Sequence, residues 1–452
     1  MKKQCGKAGW TLLFGLLCFQ PIHAQKLWTL EDCISYAMQN NISLKKQQLQ
    51  TKSAAEDVKQ SKAALLPSLS GSTNQSVGYR PWQDAGITTV TNGQVNAKVD
   101  KIYYNGSYGL NAQWTVWNGN RNINTVKLNE LSEQQAELST EETANSIQEK
   151  IAQYYVQILY LTEAIKVNEQ SLETSKKNEE RGKDMVEVGK MSKADLAQLT
   201  AQRASDEYAL VESKSQLANY KLQLKQLLEL TGEEEFNIAI PATTDEMALR
   251  EIPSLQGVYE LALTSRPEIE NSQLAVKSSE LNVAIAKAGR MPSLSMTSGL
   301  GTSTNSLSSL GWGTQMKSNF DASAGLSVSI PLFDNRQAKT NIAKARLQQE
   351  QAILDMQDKQ KQLYQTIEGY WLDAQTNQQK FRTALATVES EQQSYNLLQE
   401  QFQLGLKNIV ELMTGKDRLL SAQQNELQSK YMTILNLQML QFYSGQRNKM
   451  RD

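Results

Sequence analysis

The stretch that decides the fold reads FDASAGLSVSI, residues 320–330. Apolar side chains occupy every second position of this stretch, and Asp, Ser or Gly fills each position between them. Because successive side chains of a strand point to opposite faces, the alternation predicts a strand with one apolar and one polar face, as in membrane barrels. About ten residues is also the length that a tilted strand needs to cross a bilayer.

A second stretch, YGLNAQWTV at residues 108–116, has the same alternation. Weaker candidates for hairpin partners are residues 68–79 and 293–304, so we predict one β-hairpin at about 68–116 and another at about 293–330. Gly- and Ser-rich loops, residues 80–100 and 305–318, separate the partners. Aromatic residues near the loop ends fit an interfacial girdle or ordinary loop packing equally well: Trp82, Tyr103, Tyr104 and Trp312.

An internal repeat organises the chain. Residues 116–119 (VWNG) align with residues 332–335 (LFDN), and the same offset of 216 residues relates Tyr154 to Tyr370 and Gly189 to Gly405. Upstream, LPSL at 66–69 matches MPSL at 291–294 with a larger offset, so the first copy has the longer loop. We predict two repeats, residues 25–240 and 241–452.

Very long helices fill the rest of each repeat. Proline is absent from Asn118 to Glu187, a stretch that as one helix would be ~100 Å long at ~1.5 Å per residue. Its apolar residues follow a heptad spacing, which keeps one stripe facing a partner helix: Ile147, Ile151, Tyr154, Ile158, Leu161 and Ile165. We predict long helices at about 117–231 and 334–445, and shorter helices at about 254–290. From the helices alone, an antiparallel coiled coil without a channel stays possible.

The N-terminus has the pattern of an export signal. Three lysines precede an apolar run at residues 10–19, and Ala24 supplies the small residue of a cleavage site. The run is too short for a membrane anchor, which needs ~20 residues. We therefore predict a signal peptide at residues 1–24; lipidation at Cys18 is the alternative.

Removal of residues 1–24 limits the available chemistry. It takes away Cys5, Cys18 and His23, so the mature chain keeps Cys33 as its one cysteine and has no histidine. An internal disulfide, a His- or Cys-based metal site and a His-dependent triad are thereby excluded. We predict no catalytic residue, cofactor or metal, and a net charge of −1 gives no indication of a nucleic-acid partner. Cys33 is expected to be a small buried apolar residue.

Four strands per chain cannot close a barrel. An open sheet edge in lipid leaves backbone groups unsatisfied, so closure requires several chains. Three chains would supply twelve strands, an even number within the range of known barrels.

Taken in order, the signal peptide, residues 28–33 (WTLEDC) before a helix, LPSL opening a strand and the duplicated glycine turns resemble the TolC outer-membrane efflux family. The resemblance implies an α+β membrane protein: a homotrimer with a twelve-stranded transmembrane β-barrel continued by a long periplasmic α-helical coiled-coil barrel. It also implies a channel subunit of a tripartite efflux pump or type I secretion system, whose partners are a periplasmic adaptor, an inner-membrane pump and outer-membrane lipid.

The resemblance also assigns roles at the helix-to-helix turns. Family members have a tip glycine followed six residues later by an acid, a pattern that both repeats of this chain match. Tip and adaptor-docking roles fall to Gly189, Leu196, Gly405 and Leu412, and aperture-gate roles to Asp195, Phe402, Lys407 and Glu411. Three carboxylates around a narrow axis would favour cations. The alternative is that the two acids only stabilise helix N-termini.

The chain departs from the family pattern after the first glycine, where Lys190 and Met191 stand, and at Thr414, which is acidic in some members. Two rival hypotheses are a periplasmic coiled-coil adaptor or scaffold without a pore, and an enzyme. The sequence leaves open whether the exported substrate is a drug, a metal or a protein.

Overall fold

The computed structural model describes residues 27–82, 86–90, 93–97, 101–231, 236–241, 243–306 and 308–445. The predicted signal peptide, with Cys5, Cys18 and His23, lies outside these residues. Among the helices described, none is both long and apolar enough to cross a membrane.

Two similar series of elements follow each other along the chain. The first consists of β1 (Leu27–Trp28), α1 (Leu30–Asn40), α2 (Ile42–Ala63), β2 (Ser68–Tyr79), β3 (Gly86–Val90), β4 (Gly93–Ala97), β5 (Ile102–Trp117), α3 (Arg121–Glu187) and α4 (Lys193–Leu227). The second consists of β6 (Asn237–Ile238), α5 (Asp245–Ala248), α6 (Leu255–Ser265), α7 (Pro267–Ala288), β7 (Ser293–Asn305), α8 (Trp312–Ser318), β8 (Asp321–Ser329), α9 (Gln337–Gln403) and α10 (Ile409–Tyr443).

The repeat is visible in the helix lengths. Helices α3 and α9 both have 67 residues, and α4 and α10 both have 35. Their first residues, Arg121 and Gln337, then Lys193 and Ile409, are 216 positions apart in each case. Helices α1 and α6 (11 residues) and α2 and α7 (22 residues) match as well. The predicted α+β organisation in two repeats is confirmed.

The two hairpins join into one antiparallel sheet with the order β2-β5-β7-β8. The register places Leu110 opposite Leu300, and Leu300 opposite Ala322, so the apolar positions of neighbouring strands share a face. An irregularity between Thr115 and Trp117 ends this regular pairing next to α3. The alternation of apolar and polar residues that predicted the strands therefore corresponds to one apolar and one polar face of the sheet.

Two parts of the hairpins differ from the prediction. Strand β5 begins at Ile102, six residues before the predicted start, and the first loop carries the extra hairpin β3-β4. The second loop contains helix α8, although two glycines argued against a helix there. The buried side-chain amide of Gln315 fixes this helix by donating to the carbonyl oxygens of Asn305 (3.0 Å) and Leu310 (2.7 Å). These side-chain bonds to the preceding loop override the low helix propensity of the glycines.

The largest apolar core lies where α1 packs against the middle of α3, and it includes residues from the ends of α4 and α10. Cys33 is fully buried in it, as predicted. Along α3 the predicted heptad residues are buried except Tyr154, which is half-buried; Tyr155 is buried instead and donates to the carbonyl oxygen of Ala239 at 2.6 Å. The shift arises because α3 packs against α2, α7 and α10 in addition to α4, so its buried surface is wider than one heptad stripe.

Candidate functional site at the helical tip

The two turns that join the long helices have the same backbone geometry. The turn after α3 contains Gly189 (φ +73°) and the turn after α9 contains Gly405 (φ +75°), both in the left-handed region that favours glycine. The amide of Lys190 donates to the carbonyl of Met185 (2.8 Å), and the amide of Leu406 donates to that of Gln401 (2.9 Å). These are Schellman turns, in which the residue after the glycine closes the helix. The predicted tip glycines therefore form the tight turn in each repeat.

The predicted acids begin the next helix in each repeat. Asp195 and Ser192 form a capping box on α4, with the Asp195 amide donating to Ser192 Oγ at 3.1 Å. Glu411 and Asn408 do the same on α10, where the Glu411 amide donates to Asn408 Oδ1 at 2.9 Å. Both carboxylates thus satisfy backbone donors at a helix N-terminus, which is the alternative role that the sequence left open.

Glu411 has a second partner that Asp195 lacks in the first repeat. Lys407 Nζ lies 2.5 Å from Glu411 Oε1, whereas the matching position of the first repeat is Met191. The hydrogen bond from Lys407, together with that from the Asn408 amide, lowers the pKa of Glu411. Because the pKa is lowered, the pairing contributes fully to the stability of the fold at pH values above the ordinary Glu pKa. This contribution is lost as the pH falls through the lowered pKa.

Other predicted tip residues lie inside the protein. Phe402 and Leu412 are buried in an apolar tip cluster together with Leu199, Tyr395, Ile409 and Leu419. Leu412 is only 1 % exposed in the single chain, so it supports the tip from within, and its role in adaptor docking stays a prediction. Phe402 likewise packs inward within the single chain, and its role at the aperture stays a prediction. Leu196 is half-buried. A heptad leucine after a turn faces the neighbouring helix, which is why Leu412 lies inside this cluster.

Close contacts between a glycine and a leucine hold each helix pair together near the tip. A Cβ on Gly182 would lie 2.5 Å from Leu199 Cδ1, and one on Gly415 would lie 2.5 Å from Leu398 Cδ1. Position 182 matches position 398 in the repeat, and position 199 matches position 415. The glycine therefore comes from the first long helix of the pair in the first repeat and from the second helix in the second repeat. These contacts could not be predicted from the sequence, because an isolated glycine in a helix gives no indication of what it faces.

Exposed apolar side chains surround the two turns. Leu404 and Leu406 are 74 % and 70 % exposed at the second turn, and Val188 at the first turn and Val410 at the start of α10 are exposed as well. The sequence analysis did not single them out because aliphatic residues at a helix end usually close the turn. We call these four residues the tip apolar patch.

A buried ion pair connects the two helical hairpins above the tip. Lys416 of α10 bonds Asp206 of α4, and both side chains are about one-twentieth exposed, at 6 % and 5 %. Lys416 Nζ also donates to Ser175 Oγ of α3 at 2.6 Å, and Ser175 bonds Asp206 in turn. Both charged residues occupy heptad positions that are apolar elsewhere, Lys416 between Leu412 and Leu419. A charge in the heptad stripe was the sequence signal for this contact.

The ion pair occurs once, because the matching positions of the other repeat are Ala422 and Thr200. Gln202 donates to Asp206 Oδ1 (3.3 Å) and to Asp417 Oδ1 (3.0 Å), which extends the polar cluster towards the surface. Burial raises the pKa of Asp417. In the described part of the chain, no group of three or more His, Cys, Asp or Glu residues is placed to hold a metal ion.

Comparisons with known proteins agree with this architecture. The chain matches the family model described as outer membrane efflux protein over residues 33–229 and 258–446, one segment in each repeat. The match covers most of the chain, so the protein belongs to the outer membrane efflux protein family. The resemblance seen in the sequence is confirmed, and with it the outer membrane as the location.

Two sequence relatives match nearly the whole chain. The outer membrane efflux protein BepC of Brucella suis is 21 % identical over 411 residues, covering 90 % of this chain and 83 % of BepC. The cation efflux system protein CusC of Escherichia coli K12 is 22 % identical over 416 residues, covering 90 % of this chain and 84 % of CusC.

Solved structures show the same fold. The CmeC outer membrane channel of Campylobacter jejuni superposes with a TM-score of 0.76 at 18 % identity, covering 100 % of this chain and 96 % of CmeC. The outer membrane protein VceC of Vibrio cholerae gives 0.74 at 18 % identity, covering 92 % and 96 %. Family and fold are thus those of channel proteins.

The ion pair gives the first testable prediction. Asp206→Asn or Lys416→Met alone leaves a buried charge without its partner, and each should lower the free energy of unfolding by about 3–5 kcal/mol. The double variant Asp206→Leu/Lys416→Met removes both charges and should be close to wild type. Chemical denaturation in detergent, followed by circular dichroism, measures all three.

The control is Glu56→Gln, which breaks an exposed pair with Lys59 and should leave the free energy of unfolding close to that of wild type. If the Asp206 and Lys416 variants behaved like this control, the buried pair would not hold the hairpins together.

Proposed function

We propose that three copies of this chain assemble into a passive export duct, a twelve-stranded barrel in the outer membrane continued by a helical tube across the periplasm. The observation that carries the proposal is the sheet β2-β5-β7-β8, which has an apolar and a polar face and runs directly into two helices of 67 residues each. Each such helix is ~100 Å long. A water-filled barrel needs the polar face inside and the apolar face towards lipid.

The duct works with other proteins in this proposal. A periplasmic adaptor and an inner-membrane pump, or a type I secretion complex, supply the energy, and the duct itself needs no cofactor and catalyses no reaction. The apolar face of the sheet is exposed along Leu69, Leu326 and Val328. If the protein were a coiled-coil scaffold without a pore, this face would have no role. That exposed face is the observation that favours a barrel in lipid.

The helical tip is the proposed gate. Three copies of Glu411, held by Lys407 and by the capping box, form a carboxylate ring at the closed aperture, and Asp195 forms a second ring beside it. Asp195 and Glu411 are each at least partly exposed to solvent in the single chain, which supports this role. Phe402 and Leu412 contribute by filling the apolar cluster behind the ring.

Planar-bilayer recording with two variants separates the gate from the helix cap. Glu411→Gln removes the charge and keeps an acceptor for the Asn408 amide, whereas Asn408→Ala removes the capping side chain and keeps the charge. A carboxylate ring predicts that Glu411→Gln loses block by a multivalent cation at least tenfold, while Asn408→Ala keeps it.

Equal block in wild type and Glu411→Gln would rule out the ring, and equal loss in both variants would assign the effect to the cap. The pH dependence gives an independent check. Because Lys407 lowers the pKa of Glu411, Lys407→Met should raise the pH at which cation block disappears.

The tip apolar patch is the proposed adaptor-docking surface, together with the turn glycines Gly189 and Gly405. Large aliphatic side chains that stay exposed at the end of a helical hairpin are typical of a surface that a partner covers. The double variant Leu404→Asp/Leu406→Asp should weaken binding of the host's purified adaptor at least tenfold in biolayer interferometry. Its channel conductance in bilayers should stay unchanged.

The matched control is Leu404→Met/Leu406→Met, which keeps apolar surface at both positions and should bind like wild type. Unchanged adaptor binding by the Asp variant would place the docking surface elsewhere.

A further inference from the structure

The strand register shows what the polar face of the sheet is made of. Directly opposed residues share a face, so the pairings can be read as rows that cross the sheet from β2 to β8. Three consecutive rows on the polar face are Ser72–Gly109–Gly301–Asp321, Ser70–Asn111–Gly299–Ser323 and Ser68–Gln113–Thr297–Gly325. Apart from the Asp321 carboxylate, these rows therefore consist of hydroxyl groups, amides and bare backbone.

Formal charge is almost absent from these strands. Strands β2, β5 and β7 contain no Asp, Glu, Lys or Arg, and β8 contains Asp321 alone, at its first residue. Asp321 pairs with Gly301 and lies on the polar face, at the end of β8 away from the long helices. The opposite face carries apolar rows such as Leu110–Leu300–Ala322.

We propose that the barrel of this duct is a nonionic conduit in which Asp321 is the one fixed charge of the strand wall, so that anionic, cationic and neutral solutes pass it almost equally. The proposal rests on the proposed trimeric duct. It adds that the barrel part of this duct does not select solutes by charge. Selection by charge then belongs to the helical tube and its tip. The solute class that the barrel admits is set by size.

Geometry keeps the three Asp321 carboxylates from acting together. Neighbouring copies are four strands apart, which is roughly 19 Å along the wall at ~4.8 Å per strand. The Debye length is about 8 Å at physiological salt, so each carboxylate is largely screened from the next. Strong charge selection in a pore requires rings of charged side chains at close quarters, and the strands supply none.

The glycines strengthen the inference. A Cβ added to Gly301 would meet nothing closer than the Tyr108 carbonyl oxygen at 3.7 Å, and one added to Gly109 would meet Ser72 Oγ at 3.4 Å. Packing within the sheet therefore does not demand glycine at either position. Glycine instead leaves two of the four positions of this row without side chains, which leaves more of the bore open to passing solutes.

Reactivity of introduced cysteines tests the lining without depending on whether the tip is open, because reagents enter from the outer side. Ser323→Cys and Ser327→Cys place a thiol on the polar face, and Ala322→Cys is the matched control on the apolar face. Cys33 is fully buried and gives a low background. The probes are an anionic and a cationic methanethiosulfonate, with each rate normalised to the rate of the same probe on a free thiol.

The expected result is that both probes modify Ser327→Cys at normalised rates within about threefold of each other. Ser323→Cys, close to Asp321, should show a small preference for the cation, and Asp321→Asn in the same background should remove it. Ala322→Cys should react at least tenfold more slowly with both probes.

A tenfold or larger preference for one charge at Ser327→Cys that persists with Asp321→Asn would overturn the inference and leave the duct intact. If Ala322→Cys instead reacted as fast as Ser323→Cys, the two faces would not be separated by lipid and water. That result would contradict the proposed duct itself.

Discussion

The unpaired edges of the sheet are the constraint on which the rest of the structure depends. Within the described part of the chain, β2 pairs only with β5 and β8 pairs only with β7, so one side of each outer strand has no backbone partner. In lipid, each unsatisfied group costs several kcal/mol. The two edge strands run in opposite directions, so β8 of one copy can pair antiparallel with β2 of the next. Closure by neighbouring copies then resolves the constraint.

The requirement that the sheet edges be paired also affects the tip, because only a few residues separate the strands from the long helices. Gly119 and Asn120 (φ +66° and +64°) turn β5 into α3, and Asn335 and Arg336 (φ +49° and +69°) turn the segment after β8 into α9. The position of each long helix therefore follows from the barrel. At the far end, the repeats have diverged: Lys407, Lys416 and Asp206 give the tip charged contacts that the matching residues Met191, Thr200 and Ala422 cannot make.

Much of the fold could be predicted because its signals are local and periodic. Alternation of apolar and polar residues identified the strands, and the absence of proline identified the long helices. Contacts that depend on three-dimensional packing could not be predicted: the Gln315 bonds that hold α8, the burial of Tyr155 in place of Tyr154, and the inward position of Leu412. At the candidate site, the turn glycines and capping acids followed from spacing, whereas the Asp206–Lys416 pair joins residues 210 positions apart and required the structure.

Negative-stain imaging of the detergent-purified mature protein tests the central claim most directly, because it reports closure by several copies and the barrel together. The account predicts tapered particles longer than ~100 Å, the length of one 67-residue helix, with a detergent belt at one end and threefold symmetry in end views. Thin single rods without a detergent belt would contradict it. They would show that the sheet edges stay open in solution and that the chain is a coiled-coil scaffold.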